Sequence, residues 1–335
     1  MRSRLILLAF LAGVLWIFQS CSKATVQLPV DTSRLMRIED VLQGDDHQLL
    51  DLLNIVRGSV GKRGPGSKTI WSTKNDFGLG LYVSANHVYG LNSWRTRSAE
   101  YFDLATVNPG IFETSQIPPE NGYSELGTTL TADFPLMHFD ISVSATNTTI
   151  LPSEDFYLGI VDNQRVKQGM FPQYPVLVQT NAPLQMYDPG NRSKADQTWN
   201  EPIKGERAIL VGYPQDVVNY PNGAVAYGKI LSDKEAESIL TQLRSAGDSE
   251  GDIPYNSLIE FIVEAPGIAG MSGGGVFNST GQLLGIMVRG SEVENVPRII
   301  RAVKVSHINS KLKKFYSSLP QADKDKIRSY VSGEL

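Results

Sequence analysis

Ser272 stands in Gly270-Met271-Ser272-Gly273-Gly274, between two apolar, β-rich runs at 258–263 and 276–288. A serine flanked by glycines on a tight turn presents its hydroxyl with little steric cover. The amides of Gly270 and Ser272 can then aim at one point, so a single loop can supply both a nucleophile and an oxyanion hole. A serine hydroxyl is a weak nucleophile until a base takes its proton. Of the four histidines, His47, His87, His138 and His307, His87 has the setting for this. It closes Leu81-Tyr82-Val83-Ser84-Ala85-Asn86-His87, an apolar strand running into a small-residue turn, which can hold a side chain at a domain edge. Asp140 opens the alternating run Asp140-Ile141-Ser142-Val143. In this arrangement Ser272 attacks a carbonyl carbon and His87 carries its proton to the leaving group. Asp140 orients the imidazole, and the Gly270 and Ser272 amides hold the oxyanion. No metal or cofactor is required.

Many short runs must position these groups. They lie at 69–71, 78–83, 139–143, 174–179, 208–213, 224–231, 258–263, 283–288 and 299–305, each broken by Gly, Pro, Asn or Asp. That texture predicts an all-β sandwich or pair of barrels. Helical spacing appears in four stretches. Residues 31–57 carry Leu35, Ile38, Val41, Leu42, Leu49, Leu52, Leu53 and Val56. Residues 233–245 place Ile239, Leu240 and Leu243 on one face behind Ser232 as N-cap. Residues 306–316 and 321–331 follow the last strand. The polar stretch 187–205 reads as a surface loop.

With 335 residues and 41% hydrophobic composition, the chain can bury one large domain or two small packed ones. Its net charge of −4 and lack of a basic block argue against a nucleic-acid surface. No repeat or low-complexity tract is visible. Arg2 and Arg4 precede an apolar run, Leu5 to Phe18, shorter than the roughly 20 residues of a spanning helix. This is a signal-peptide pattern. It ends at Ser20-Cys21, which resembles a bacterial lipoprotein cleavage site with Cys21 as the lipidated first residue. Cys21 is the one cysteine, so no intrachain disulfide can form. The expected organisation is a signal peptide over 1–20, a lipid-anchored tether and helical extension over 21–59, and the catalytic domain over 60–335.

The three motifs, in the order His, Asp, Ser, resemble those of the trypsin-like (chymotrypsin-fold) serine peptidases, and among them the bacterial HtrA-type domains. Ser84-Ala85-Asn86-His87 is similar to the family's Thr-Ala-Ala-His, and Phe139-Asp140-Ile141-Ser142 to its Asn-Asp-Ile-Thr. Gly270 to Gly274 resembles Gly-Asp/Asn-Ser-Gly-Gly. Val211-Gly212-Tyr213-Pro214 and Gly281 to Ile286 are similar to a turn and a strand pair of the bacterial members. The likeness covers about residues 60–316. It implies two packed six-stranded β-barrels and a serine endopeptidase; with the N-terminal helical extension, the C-terminal helix and the lipoprotein-like start, the expected setting is the bacterial cell envelope, facing the periplasm or the exterior. Asp103, in Tyr101-Phe102-Asp103-Leu104-Ala105, is the rival acid. It lies only 16 residues after His87, which leaves little room for intervening strands, so Asp140 is preferred. Met271 departs from the pattern, since an acid there holds the activated N-terminus of zymogen-type relatives.

The resemblance also places a substrate pocket at Pro266, Met287, Val288, Arg289 and Gly290. Pro266 stands where a pocket-floor charge is often found, so a preference for Lys or Arg is not expected. A small or medium apolar side chain is expected instead. The partners are a protein or peptide substrate and a membrane reached through the lipid at Cys21. Two other functions share these residues: a binding module that keeps the fold without turnover, and an esterase using the same triad.

Overall fold

The computed structural model describes residues 26–29, 34–57, 60–63, 66–73, 79–90, 100–101, 133–139, 150–162, 199–322 and 324. Two antiparallel sheets carry the molecule. The first contains β2 (Val60–Arg63), β3 (Gly66–Thr73), β4 (Leu79–Ser84), β5 (Glu100–Tyr101), β6 (Asp133–Phe139) and β7 (Tyr157–Asp162), in the order β2-β3-β4-β7-β6-β5. The second contains β1 (Met36–Arg37), β8 (Arg207–Gly212), β9 (Ala224–Ile230), β10 (Glu260–Glu264), β11 (Gly275–Phe277), β12 (Leu283–Ser291) and β13 (Ile299–Lys304). Its order is β1-β9-β10-β13-β12-β11-β8, and β8 pairs again with β9. That last pairing closes β8 to β13 into a six-stranded barrel, with β1 added beside the start of β9. The all-β architecture expected from the alternating runs is present.

The closed barrel follows from alternation. Successive side chains on a strand face opposite ways. Ala208, Leu210, Ala224, Ala226, Ile300 and Ala302 turn into one buried cluster fed by all six barrel strands, which is the barrel interior. Their alternates, Ile209, Val211, Val225, Tyr227 and Val303, join Val83 and Leu158 of the first sheet, and Phe156 just before β7, in a second cluster, which fuses the two halves. The alanines sit in the narrow interior and the larger side chains fill the seam. β12 changes faces at a bulge between Met287 and Arg289.

Helices cover the seam and the outside. α1 (Ile38–Leu42) and α2 (His47–Arg57) bring Ile38, Leu52, Leu53 and Val56 into the seam cluster, all nearly solvent-free. Burying each such side chain contributes about 1.5–3 kcal/mol. The stretch predicted as one helical extension is therefore a strand and two helices folded onto the body. The region read as tether already touches the body at Leu28, which is buried. α3 (Asn86–Gly90) follows β4 directly. α4 (Asp233–Ser245) spans the predicted residues and starts in a capping box between Ser232 and Glu235. It buries Ala236, Ile239, Leu240 and Leu243, spaced for one helix face, against Ile262 and Ile299 on the outside of the barrel. α5 (Val305–Ser318) packs Val305, Ile308 and Leu312 on the seam. No helix among the described residues is long and apolar enough to cross a membrane.

Two expectations shift along the chain. The strand predicted over 139–143 shares only Phe139 with β6, and 140–143 lie outside the described residues. The run at 174–179, Cys21 and the whole of 1–25 lie outside the described residues.

Candidate active site

His87 sits in α3, immediately past β4, with its side chain partly exposed. Its Nδ1 lies 2.9 Å from Oδ2 and 3.0 Å from Oδ1 of Asp155. The His87 backbone N–H donates to Asp155 Oδ1 at 3.0 Å. Asp155 is buried, its side chain 1% exposed, so the pair is held away from competing water. With Nδ1 donating, Nε2 keeps its lone pair for a proton. The imidazole pKa stands above its ordinary value. Burial pulls it down, the Asp155 charge and hydrogen bond more than offset that, and the Arg289 charge pulls down again.

Asp155 was not among the candidates read from sequence. It follows a 3₁₀ turn, Pro152–Glu154, that leads into β7. Asp140 and Asp103 both lie outside the described residues. Among the described residues, the carboxylate on His87 is that of Asp155. The reason is register. β4 and β7 run antiparallel with Ser84 opposite Tyr157, so residues just after Ser84 lie beside residues just before Tyr157.

The serine loop comes from the closed barrel and is fastened by the first sheet. Ser67 N–H donates to the Ser272 carbonyl at 2.8 Å, and Ser67 Oγ to the Gly270 carbonyl at 2.9 Å. Thr69 Oγ1 donates to the Gly273 carbonyl at 2.9 Å. Ser67 Oγ also accepts from the Tyr213 amide, and Ser84 Oγ donates to the Ser67 carbonyl. Ser67, Thr69 and Ser84 are all fully buried, so each hydroxyl is committed to this network. Gly270 adopts φ +99° and Gly273 φ +86°, in the left-handed region that favours glycine. A Cβ on Gly270 would also strike the Gln215 amide, so the loop packs directly on the turn after β8.

Holding the carbonyls inward turns amides outward. The amides of Met271, Gly273 and Gly274 donate to the carbonyls of Ile268, Met287 and Met271. Those of Gly270 and Ser272 have no acceptor among the described residues. Two free donors on one loop are what an oxyanion requires. The Ser272 hydroxyl likewise has no hydrogen-bond partner among the described residues, His87 included. Catalytic hydrogen bonds of this kind commonly tighten only when substrate binds. The residue after His87 and the backbone of Ser272 do meet the same glycine. A Cβ on Gly66 would meet Val88 Cγ2 at 2.6 Å and the Ser272 carbonyl at 3.0 Å.

A cavity of about 210 Å³ opens beside Ser272. Met271, Met287 and Ile300, members of the barrel-interior cluster, form its apolar base, and Gly267, Gly290 and Arg289 form its walls. Of the expected pocket residues, Met287, Arg289 and Gly290 line it. Val288 does not, because it faces the seam cluster. Pro266 is buried beneath, and its neighbour Gly267 takes the wall position. A Cβ on Gly267 or Gly290 would strike Ile300 Cδ1, so this one methyl fills the base between the two glycines. Met271 anchors the loop in the barrel interior, an apolar role that an acid at this position could not fill.

No protein-family model and no curated protein sequence matches the chain. The chain is similar to solved structures, proteases among them. One is an inactive mutant form of Rv3671c from M. tuberculosis H37Rv, 15% identical over 83% of this chain and 97% of that one, with a TM-score of 0.37. A second is the HtrA-type protease AlgW with a decapeptide, 14% identical over 75% of this chain and 51% of that one, TM-score 0.36, so that this chain spans about half of its length. A third is the scabies mite inactivated protease paralogue S-I1, 12% identical over 79% of this chain and 96% of that one, TM-score 0.38.

Proposed function

We propose that the chain is a serine endopeptidase. The observation that carries this reading is the coupling of His87 to buried Asp155 beside a loop that leaves the Gly270 and Ser272 amides free. Ser272 Oγ attacks the scissile carbonyl as its proton passes to His87 Nε2. Asp155 fixes the Nδ1–H tautomer and stabilises the imidazolium. The two amides receive the oxyanion. His87 then returns the proton to the leaving amine, and water repeats the sequence to release the acyl group.

A peptide is favoured as substrate by the edge of β12. At Arg289–Ser291 this strand pairs with β13 on one side and has no partner on the other among the described residues. An extended chain can add there by backbone hydrogen bonds, with one side chain entering the apolar cavity beside Ser272. The envelope location rests on the signal-peptide pattern and Cys21, which would tether this body to a membrane by lipid.

The test is a fluorophosphonate probe, which reacts with an activated serine. We expect labelling of the folded chain, located on Ser272 by peptide mass spectrometry. Absence of label on folded protein would leave a binding module. Labelling with ester turnover but no cleavage of a peptide library would leave an esterase.

The cavity also sets a preference. Ile300→Val removes the Cδ1 methyl that fills the base, at a stability cost of about 0.5–1.5 kcal/mol. The variant should accept a side chain one methylene longer, raising its kcat/KM relative to the shorter one by roughly 10-fold. Profiling both proteins on the same peptide library checks this, and an unchanged profile would place the side chain elsewhere.

A further inference from the structure

Between β9 and β10 the chain inserts α4 and a 3₁₀ turn, Ser249–Asp252. The turn lies tight on the helix. A Cβ on Gly251 would strike the Arg244 backbone, and Arg244 donates to the Gly251 carbonyl. Asp248 caps the turn by accepting from the Glu250 amide at 2.7 Å, and its other oxygen accepts from Ser291 Oγ at 2.6 Å. The turn is thereby pinned to β12, the strand that walls the cavity.

Glu250 is buried and reaches the site. Its Oε1 accepts from Arg289 Nε at 2.7 Å and pairs with Nη2 at 2.6 Å. Arg289 Nη1 donates to the Ile150 carbonyl at 3.3 Å, on the segment that leads to Asp155. The guanidinium therefore bridges the insertion, the cavity wall and the approach to the acid. Behind it, Arg301 is fully buried, lies 3.8 Å from Glu250 Oε2, and is bound at 2.7 and 2.8 Å by Glu260.

We propose that Glu250 is a positioning residue for the active site, holding Arg289 in place and neutralising it beside His87. This rests on the reading of His87 as general base. The insertion thus sets the charge in which the base works, from a segment that touches neither substrate nor nucleophile.

Among the described residues, the titratable and charged groups around this point are few, and His307 lies with Nε2 3.2 Å from the Ser153 carbonyl, on the turn before Asp155. Asp155 and Arg289 act on His87. Glu250 faces Arg289, Arg301 faces Glu250, and Glu292 lines the cavity while lying 4.0 Å from Arg298. Arg244 and Asp252 pair on the exposed outer side. His87 must be neutral to accept a proton, so activity rises with pH through its titration. A positive charge nearby disfavours the imidazolium and moves that limb to lower pH. Removing Arg289 therefore moves it up. Removing the Glu250 charge leaves Arg289 uncompensated and moves it down.

The experiment titrates the His87 ring by NMR in the intact chain and measures kcat/KM against pH in wild type, Arg289→Gln, Glu250→Gln and the double variant. We expect opposite shifts of about 0.5–1 unit for the two single variants. The double variant should follow Arg289→Gln alone, since Glu250 acts through Arg289. Glu250→Asp keeps the charge and should restore the wild-type midpoint even where positioning is loosened. Shifts of the same sign in folded variants, or none, would overturn the proposal. The ring titration needs no turnover, so a wild type that titrates as expected but cleaves nothing would sink the peptidase reading instead.

Discussion

Asp155→Asn is expected to lower kcat on a fluorogenic peptide by about 10⁴-fold, with the fold intact. The carboxylate touches Nδ1 through both oxygens and also binds the His87 amide, so it fixes the position and tautomer of the ring. An asparagine can offer one amide oxygen or one NH₂ there. Its NH₂ would select the wrong tautomer and place the proton on Nε2, where Ser272 needs a lone pair. The pH dependence should change as well. The Asp155 charge and hydrogen bond now hold the imidazole pKa up against burial. Without them burial and Arg289 prevail, so the residual activity should have its acid limb at lower pH. Asp140→Asn should leave kcat within a few-fold of wild type. A large loss in Asp140→Asn with little change in Asp155→Asn would restore the acid first read from sequence.

The difference between those two aspartates marks where sequence reading stops. His87 and Ser272 were legible because their surroundings are local: a strand end with small residues, and glycines whose backbone freedom the loop uses at Gly270 and Gly273. An acid partner has no such local mark. Asp155 meets His87 because β4 and β7 pair with Ser84 opposite Tyr157, a register linking segments about 70 residues apart. One clue was available. Phe156-Tyr157-Leu158-Gly159-Ile160-Val161 is an apolar run, and Pro152 to Asp155 form a turn at its mouth. Read as a strand, that run makes Asp155 a candidate by position.

The fold shows the same division. α4 was legible to its ends because Ser232 and Glu235 form a local capping box. The N-terminal stretch kept its helical periodicity, yet β1 within it forms only by pairing with β9, which periodicity cannot foresee. The cavity walls were partly legible, since Met287, Arg289 and Gly290 all lie on the strand that follows the serine loop. The base was not. Ile300 arrives from β13, and its contact with Gly267 and Gly290 exists only in the closed barrel. Of Ser67, Thr69 and Ser84, whose buried hydroxyls and amide organise the serine loop, only Thr69 lies in a run read as a strand, and none carries a local mark of that role.

That network leads to the largest expected effect. Ser272→Ala should lower kcat by about 10⁶-fold and abolish fluorophosphonate labelling. It should leave stability within about 0.5 kcal/mol of wild type by urea denaturation. The two outcomes separate because the residue holds its place by its backbone. Its carbonyl accepts from Ser67, while its hydroxyl has no partner among the described residues. Removing the hydroxyl therefore disturbs nothing that fastens the loop, and the Gly270 and Ser272 amides stay free. A residual rate about 10³–10⁴-fold above that in water should remain, supplied by those amides and by substrate binding. Peptide affinity should change little, since the β12 edge and the cavity are untouched. A variant that loses turnover only in proportion to lost folded protein would make Ser272 a structural residue of a glycine turn. A variant that keeps turnover would move the nucleophile elsewhere.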